Sequence, residues 1–138
     1  MNAAAAPVEI LMVEDSPGAV RLTIEALRDA GLASSVHVVE DGVAALDFLY
    51  CRPPYGDAAR PDLVLLDLNL PRKNGSEVLG EIRRDPALNG IPVVVLSTSD
   101  AENDVARCMA LDANCYVVKP MDYEGFVAVV AGLKRFWI

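Results

Sequence analysis

The sequence predicts a three-layer α/β fold in which a parallel sheet is covered by helices on both faces. Short apolar runs alternate with amphipathic helical stretches five times along the chain. The first, third and fourth runs are almost continuously apolar, which is typical of strands buried on both faces. Because connections between parallel strands are nearly always right-handed, five such units favour a (βα)5 sandwich.

The five predicted strands are rich in valine, isoleucine and leucine, which fit a pleated, buried surface. His37 is the only histidine and lies within the second apolar run, so we interpret it as a strand residue and not as a catalytic base. The predicted strands cover residues 8–13, 35–40, 62–67, 91–97 and 114–119.

Capping signals mark the first two helices. Ser16 is a suitable N-cap, Pro17 fits the first helical position, and Gly31 is placed to end the helix. The second helix begins at about Gly42. The Pro- and Gly-rich segment 51–61 that follows it is longer than most connections in such folds.

The last three helices have similar signals. The third follows a turn at 71–75 and stops before Pro86, because a residue that precedes proline disfavours helix. Ser99 and Glu102 have the spacing of a capping box for the fourth helix. Asp122 can cap the fifth.

Composition and charge exclude several classes of protein. The 138 residues carry 12 Lys+Arg against 20 Asp+Glu, a formal charge of -8 that repels a nucleic-acid backbone. Three cysteines without CxxC spacing argue against a zinc site or a disulfide framework. No apolar run approaches the roughly 18–20 residues that cross a membrane, and the start does not resemble a signal peptide. We therefore expect a cytoplasmic single domain at 8–138, preceded by a flexible N-terminus at 1–7, with no nucleic-acid or membrane partner.

Polar side chains of catalytic type follow the predicted strands. Glu14 and Asp15 come after the first strand, Asp67 ends the third, Ser97 ends the fourth and Lys119 ends the fifth. Ligands of open parallel sheets bind beyond the carboxyl ends of the strands, so these side chains are expected to share one crevice.

The residue types at this edge indicate phosphoryl-transfer chemistry. Three converging carboxylates repel one another unless a cation lies among them, and acidic oxygen ligands suit Mg²⁺. A lysine and a hydroxyl complement a phosphoryl group, with aspartate as the nucleophile. Each residue alone has an ordinary explanation as a helix cap, turn or solvated charge. The combination at four strand ends favours a site.

A nucleotide site at the same edge is disfavoured. Such a site needs a loop or helix N-terminus that presents N–H groups to phosphate. Here the loop after the first strand contains two carboxylates and Pro17, which has no N–H, and the chain lacks GxGxxG and GxxxxGK[ST] motifs.

Four motifs resemble those of response-regulator receiver domains of two-component signalling. They are Val-Glu-Asp-Ser at 13–16, Leu-Leu-Asp-Leu-Asn-Leu-Pro at 65–71, Val-Leu-Ser at 95–97 and Val-Lys-Pro at 118–120. The resemblance covers nearly the whole chain, from about Val8 to Phe136. The resemblance implies a flavodoxin-like fold with strand order 2-1-3-4-5. Since little sequence follows the last predicted helix, we expect a single receiver domain with no output domain.

The resemblance also implies roles for the residues at the strand ends. Asp67 would accept the phosphoryl group. Mg²⁺ would be held by Asp15, Asp67 and the backbone carbonyl of Asn69, with Glu14 acting through water. Ser97 would bind a phosphoryl oxygen, although threonine is commoner there.

Three further residues near the fifth strand follow from the same resemblance. Lys119 would contact the phosphate or Asp67, and Pro120 would follow a cis peptide bond. Tyr116 occupies the place of an aromatic switch residue, but it is equally explained as a half-exposed strand tyrosine.

The expected function is a phosphorelay response regulator that receives a phosphoryl group from a sensor histidine kinase, and not an enzyme acting on a metabolite. The segment 51–61 and the ending Phe136-Trp137-Ile138 look like those of stand-alone regulators that work with phytochrome-type kinases such as bacteriophytochromes. A homodimer through the helix 4–strand 5–helix 5 face is possible, and the apolar terminus either joins it or folds back.

Two alternatives remain open. A Mg²⁺-dependent aspartyl phosphohydrolase would need an acid two residues after the nucleophile, where Asn69 stands. A phosphorylation-independent interaction module would have lost an acid or the lysine, and none is lost.

Overall fold

The computed structural model describes residues 8–98, 101–119 and 122–133. Strands and helices alternate over these ranges in the predicted order. The elements are β1 (Val8–Val13), α1 (Pro17–Asp29), β2 (Ser34–Val39), α2 (Gly42–Leu49), β3 (Leu63–Leu66), α3 (Gly75–Arg84), β4 (Val93–Ser97), α4 (Glu102–Ala110), β5 (Cys115–Val118) and α5 (Tyr123–Gly132).

The sheet has the predicted architecture. Its five described strands are parallel, in the order β2-β1-β3-β4-β5. One apolar core lies between the sheet and α2, α3 and α4, and includes Phe48, Leu79 and Cys108. The other lies between the sheet and α1 and α5, and includes Leu27 and Val130. These two cores on opposite faces confirm the three-layer sandwich.

The strands differ in burial, as their sequences suggest. β3 and β4 are buried throughout, while the edge strands β2 and β5 are mostly half-buried. β1 has the predicted bounds, and the other strands differ from prediction by one or two residues at their ends. Asp62 falls just outside β3, and both its carboxylate and its backbone bond to Glu9: the carboxylate accepts the Glu9 N–H at 2.9 Å, and the Asp62 N–H donates to the Glu9 carbonyl at 2.7 Å.

Side-chain caps start most of the helices. Ser16 Oγ accepts the Ala19 N–H at 3.3 Å at the start of α1, as predicted. Asp122 likewise accepts the Gly125 N–H at 2.7 Å at the start of α5. At the other end of α1, Gly31 has a φ of 78°, a left-handed conformation that glycine adopts without a steric penalty.

The predicted capping box of α4 is wrong. The helix begins at Glu102 and has Ala101 in the N-cap position, without a side-chain cap. Glu102 is therefore the first helical residue, whereas a capping box needs its acid at the third. The box lies instead at α3, where Asn74 and Glu77 cap each other's backbone N–H groups.

His37 lies on β2, as expected, but it is not enclosed by apolar side chains. Its Nε2 lies 2.7 Å from Glu9 Oε2, and its ring packs 5.4 Å from that of Phe48. Tyr55, from the segment 51–61, packs on the other side of Phe48 at 5.4 Å. The long segment is thus anchored to α2, near the amino ends of the strands.

Several predictions concern positions outside the described residues. They are the N-terminus at 1–7, Ser99, the peptide bond before Pro120, and Phe136-Trp137-Ile138. Among the described helices, none combines the length and apolarity needed to cross a bilayer.

Arg83 joins three segments at the amino end of β4. Its Nε donates to the Asp112 carbonyl at 2.9 Å, and its Nη1 donates to the carbonyls of Asn89 at 3.1 Å and Ile91 at 2.9 Å. Its Nη2 donates to Asn114 Oδ1 at 2.8 Å. The planar guanidinium therefore fixes the turn before β5 to α3 and to the loop before β4.

Replacing this side chain is expected to destabilise the fold. Arg83→Lys removes most of these bonds and leaves carbonyl oxygens without a donor, so we expect a loss of about 2 kcal/mol in the free energy of unfolding. Arg84→Lys, at the exposed next position, should change it by less than about 0.5 kcal/mol. Urea denaturation of both variants measures the difference, and equal stabilities would contradict the bridging role of Arg83.

Candidate functional site

The register of the central strands brings two acids together. Val13 of β1 lies opposite Leu66 of β3, so the residues that follow, Glu14 and Asp67, leave adjacent strands at the same level. The Asp67 N–H donates to the Val13 carbonyl at 3.0 Å, which fixes this arrangement. Glu14 and Asp67 are far apart in the sequence, yet the parallel pairing of β1 with β3 makes their carboxylates neighbours.

Three carboxylates converge at this point. Glu14, Asp15 and Asp67 each place one oxygen within 4.8 Å of the others. Glu14 is buried, with 6% of its surface exposed, while Asp67 is half-buried and Asp15 is exposed. The cluster is therefore open to solvent on the side of Asp15 and closed on the side of Glu14.

Lys119 enters the site from the end of β5. Its N–H donates to the Ser97 carbonyl at 2.8 Å, so the ends of β4 and β5 are also aligned. Its Nζ donates to Glu14 Oε1 at 2.7 Å, and the two side chains are only 18% and 8% exposed. The partner of the ammonium group is thus Glu14, whereas the resemblance suggested Asp67 or a phosphate.

Lys119 pairs with Glu14 and not with Asp67, and this difference separates the pKa values of these two acids. Burial raises the pKa of Asp67 to about 6, and the charge of Glu14 and a hydrogen bond with it act in the same direction. Burial also raises the pKa of Glu14, but the hydrogen bond and charge of Lys119 outweigh it, so the net pKa is lowered. Glu14 is therefore the ionised partner of Lys119, and Asp67 is the acid of this pair that takes up a proton first as the pH falls.

The remaining predicted residues lie on β4, in the loop after β3 and on β5. Ser97 is fully buried at the end of β4. Asn69 is exposed in the loop after β3, and its backbone N–H hydrogen-bonds to the Asp67 carboxylate, which lowers the pKa of Asp67. Tyr116 of β5 is partly buried and packs against the core that contains α4.

The donor set fits a hard divalent cation. Among the described residues, the site offers three carboxylate groups and a single ammonium, so negative charge is in excess once Asp67 ionises. Carboxylate oxygens are the preferred protein ligands of Mg²⁺ and Mn²⁺. A cation among them would relieve the repulsion that raises the pKa of Asp67.

Gly75, the first residue of α3, lies at the site although its sequence position predicted only a turn. A Cβ at this position would lie less than 3.0 Å from the Asp67 carbonyl oxygen, so the helix approaches the site more closely than any other residue would allow. The one sequence signal for this close approach was a glycine at a helical position, where a better helix former would be expected.

Residues 10–131 match the family described as response regulator receiver domain. Response regulator Rcp1 from Synechocystis sp. is 43% identical over 132 residues, which cover 96% of this chain and 90% of Rcp1.

Solved structures agree. The phosphorylated cyanobacterial phytochrome response regulator RcpA has a TM-score of 0.88 and 45% identity, covering 96% of this chain and 94% of its own. The Mn²⁺-bound form of Rcp1 has a TM-score of 0.86 and 44% identity, covering 95% and 94%. Since motifs, strand order and overall similarity agree over nearly its whole length, the chain belongs to the flavodoxin-like response-regulator receiver domains of two-component signalling and is similar to the phytochrome-associated stand-alone members.

Proposed function

We propose that the protein is a phosphorelay response regulator that accepts a phosphoryl group on Asp67 in a Mg²⁺-dependent reaction. The main support is the position of Asp67, which is half-buried beside Glu14 and Asp15 with the ammonium of Lys119 held at the same edge. The donor would be a phosphohistidine of a sensor histidine kinase.

In this reaction a carboxylate oxygen of Asp67 attacks the phosphorus atom. The P–N bond to the kinase histidine breaks, an acyl phosphate forms on Asp67, and the imidazole leaves with its electron pair and takes up a proton. A divalent cation held by Asp15, Asp67 and the Asn69 carbonyl, with Glu14 acting through water, would offset charge on the phosphoryl oxygens. Water later attacks the phosphorus atom of the acyl phosphate, the P–O bond to Asp67 breaks, and inorganic phosphate leaves, which restores the carboxylate.

Two groups of the chain would bind the transferred phosphoryl group. Lys119 supplies an ammonium, which Glu14 holds at the site until the phosphoryl oxygens compete for it. Ser97 supplies a hydroxyl from the end of β4. Because Ser97 and Lys119 would bind the phosphoryl group better in one state, phosphorylation would shift an existing equilibrium between inactive and active states.

The signal would leave through the face formed by α4, β5 and α5. Tyr116 lies on β5 opposite Val95 of β4. Val95 comes two residues before Ser97, the proposed phosphoryl-binding residue, so this position of Tyr116 suits a switch residue. Met109 of α4 and Val118 of β5 are 47% and 43% exposed, an apolar surface suited to a target or a second copy of the chain. A homodimer through this face is part of the proposal.

The names of the relatives suggest the kinase. RcpA is described as a cyanobacterial phytochrome response regulator, so we propose a phytochrome-type histidine kinase as partner here. The cytoplasmic location, the single-domain organisation of 8–138 and the lack of nucleic-acid or membrane partners remain predictions from the sequence.

The two alternatives have less support. Asn69 cannot donate a proton as a phosphohydrolase acid would, and it projects from an exposed loop position. A phosphorylation-independent module would not need the three acids and the lysine that the site retains.

Phosphorylation of Asp67 is directly testable. Incubation with acetyl phosphate and Mg²⁺ should add one phosphoryl group in intact-mass spectra, because the carboxylate is accessible and has a cation site beside it. Asp67→Asn should abolish the gain, and so should a chelator. Asp57→Asn, in the exposed segment 51–61, is the matched control and should be modified like the wild type.

Other outcomes would favour the alternatives. An unmodified wild-type mass under these conditions would favour the interaction module. Continuous Asp67-dependent hydrolysis of the donor, without an accumulated phosphorylated form, would instead favour a phosphohydrolase.

The charge of the site predicts a pH dependence of stability in the presence of a chelator. The pKa of folded Asp67 is about 6, above its ordinary 3.8, so its protonated form stabilises the fold at low pH. This contribution is lost as the pH rises through about 6. The lowered pKa of Glu14 changes the stability only below its ordinary value of 4.5, so Glu14 does not contribute to the change between pH 5 and pH 7. Between pH 5 and pH 7 the Tm should fall more for the wild type than for Asp67→Asn.

Calorimetric scans of both proteins measure the difference. Saturating Mg²⁺ should remove most of it, because the cation favours the ionised carboxylate. Parallel pH profiles of wild type and Asp67→Asn in the chelator would show that Asp67 titrates normally.

A further inference from the structure

Two glycines support the loop that connects Asp67 to α3. Gly75 is the first residue of α3, and Gly42 is the first residue of α2. Among the described glycines, Gly31 is the one with a positive φ, so neither Gly42 nor Gly75 is required by its backbone conformation. Alanine is the better helix former at such positions, which leaves space as the reason for glycine.

Gly75 lies against the backbone of the phosphoryl-acceptor segment. A Cβ there would be less than 3.0 Å from the Asp67 carbonyl oxygen and 2.8 Å from the Cα of Leu68. The Gly75 N–H also donates to the Leu68 carbonyl at 3.0 Å. Because these are backbone atoms, they cannot rotate away, and an added methyl group would displace either α3 or Asp67.

Gly42 makes a contact of the same kind at the other end of the loop. A Cβ at Gly42 would be less than 3.0 Å from the Lys73 carbonyl oxygen and 2.8 Å from its carbonyl carbon. The adjacent ion pair between Arg72 and Asp41, at 3.3 Å, supports the same region. Gly42 therefore supports the part of the loop at Lys73, which is farther along the chain from Asp67 than the part that Gly75 contacts.

We propose that Gly75 is a positioning residue for the acceptor carboxylate. The missing side chain lets the first turn of α3 lie against the Asp67 carbonyl. That contact sets where the Asp67 carboxylate lies relative to Glu14 and Asp15. With the three oxygens only 4.8 Å apart or less, a displacement of about 1 Å is enough to impair cation binding and phosphoryl transfer. The phosphorylation readout of this inference rests on the proposed function of Asp67.

The matched pair Gly75→Ala and Gly42→Ala tests the proposal. Both variants add the same methyl group at a first helical position against a backbone carbonyl, so both should lose stability. Gly75→Ala should also raise the dissociation constant for Mn²⁺ by about 10-fold to 100-fold, the range seen when groups that orient metal ligands are removed. Gly42→Ala should retain nearly wild-type affinity. The signal of free Mn²⁺ in electron paramagnetic resonance gives both constants, and acetyl phosphate labelling should be slowed only in Gly75→Ala.

Equal loss of Mn²⁺ affinity in the two variants would overturn the positioning role, because it would reduce Gly75 to a structural glycine. Unchanged affinity in a folded Gly75→Ala would do the same. If the wild type binds Mn²⁺ but is not phosphorylated, the proposed function fails while the metal readout still decides the role of Gly75. Failure of the wild type to bind Mn²⁺ would overturn both.

A second measurement needs no variant. If the contact of α3 with Asp67 and cation binding are coupled, each must stabilise the other. Saturating Mg²⁺ should therefore slow hydrogen exchange of the Gly75 N–H, which donates to Leu68. The Ala45 N–H of α2, which donates to the Asp41 carbonyl at 3.1 Å, should be unaffected. An equal response at Gly75 and Ala45, or no response at Gly75, would contradict the coupling.

Discussion

The partly buried ion pair between Lys119 and Glu14 is the interaction on which the site depends. Parallel pairing of β1 and β3 places Glu14 beside Asp67, and like charges at this distance in a partly buried crevice repel each other. Lys119 neutralises the more buried of the two at 2.7 Å. Of these two acids, Asp67 is thereby left without an ion-pair partner among the described residues, which suits the cation and the phosphoryl group that we propose for it.

The two apolar cores bury the central strands completely and the edge strand β5 only partly. β3 and β4 are buried throughout, so the ends that carry Asp67 and Ser97 are held by packing on both faces. β5 is less buried and carries Tyr116 and an exposed Val118. Regions with fewer buried contacts open and rearrange at lower cost, and β5 is such a strand next to the candidate site.

The helix boundaries show where local sequence signals predict a cap correctly and where they do not. The caps of α1 and α5 are visible in the sequence, since Ser16 and Asp122 each precede a helical pattern and bond a nearby N–H. The Ser99 signal was misleading, because α4 begins three residues later without a side-chain cap. A capping box has few requirements, and whether the chain uses it depends on where tertiary packing starts the helix.

The sequence by itself determined the kind and order of the elements, because hydrophobic periodicity and caps are local properties. It also predicted that Glu14, Asp15, Asp67 and Lys119 meet at one edge, since all parallel strands present their carboxyl ends there. Only the tertiary structure decided that Lys119 pairs with Glu14, that Asp67 has a pKa of about 6, and that Gly75 packs against the Asp67 carbonyl. The ion pair joins residues 105 positions apart, and its energy depends on distances of a few ångströms and on burial, which no local pattern of residues encodes.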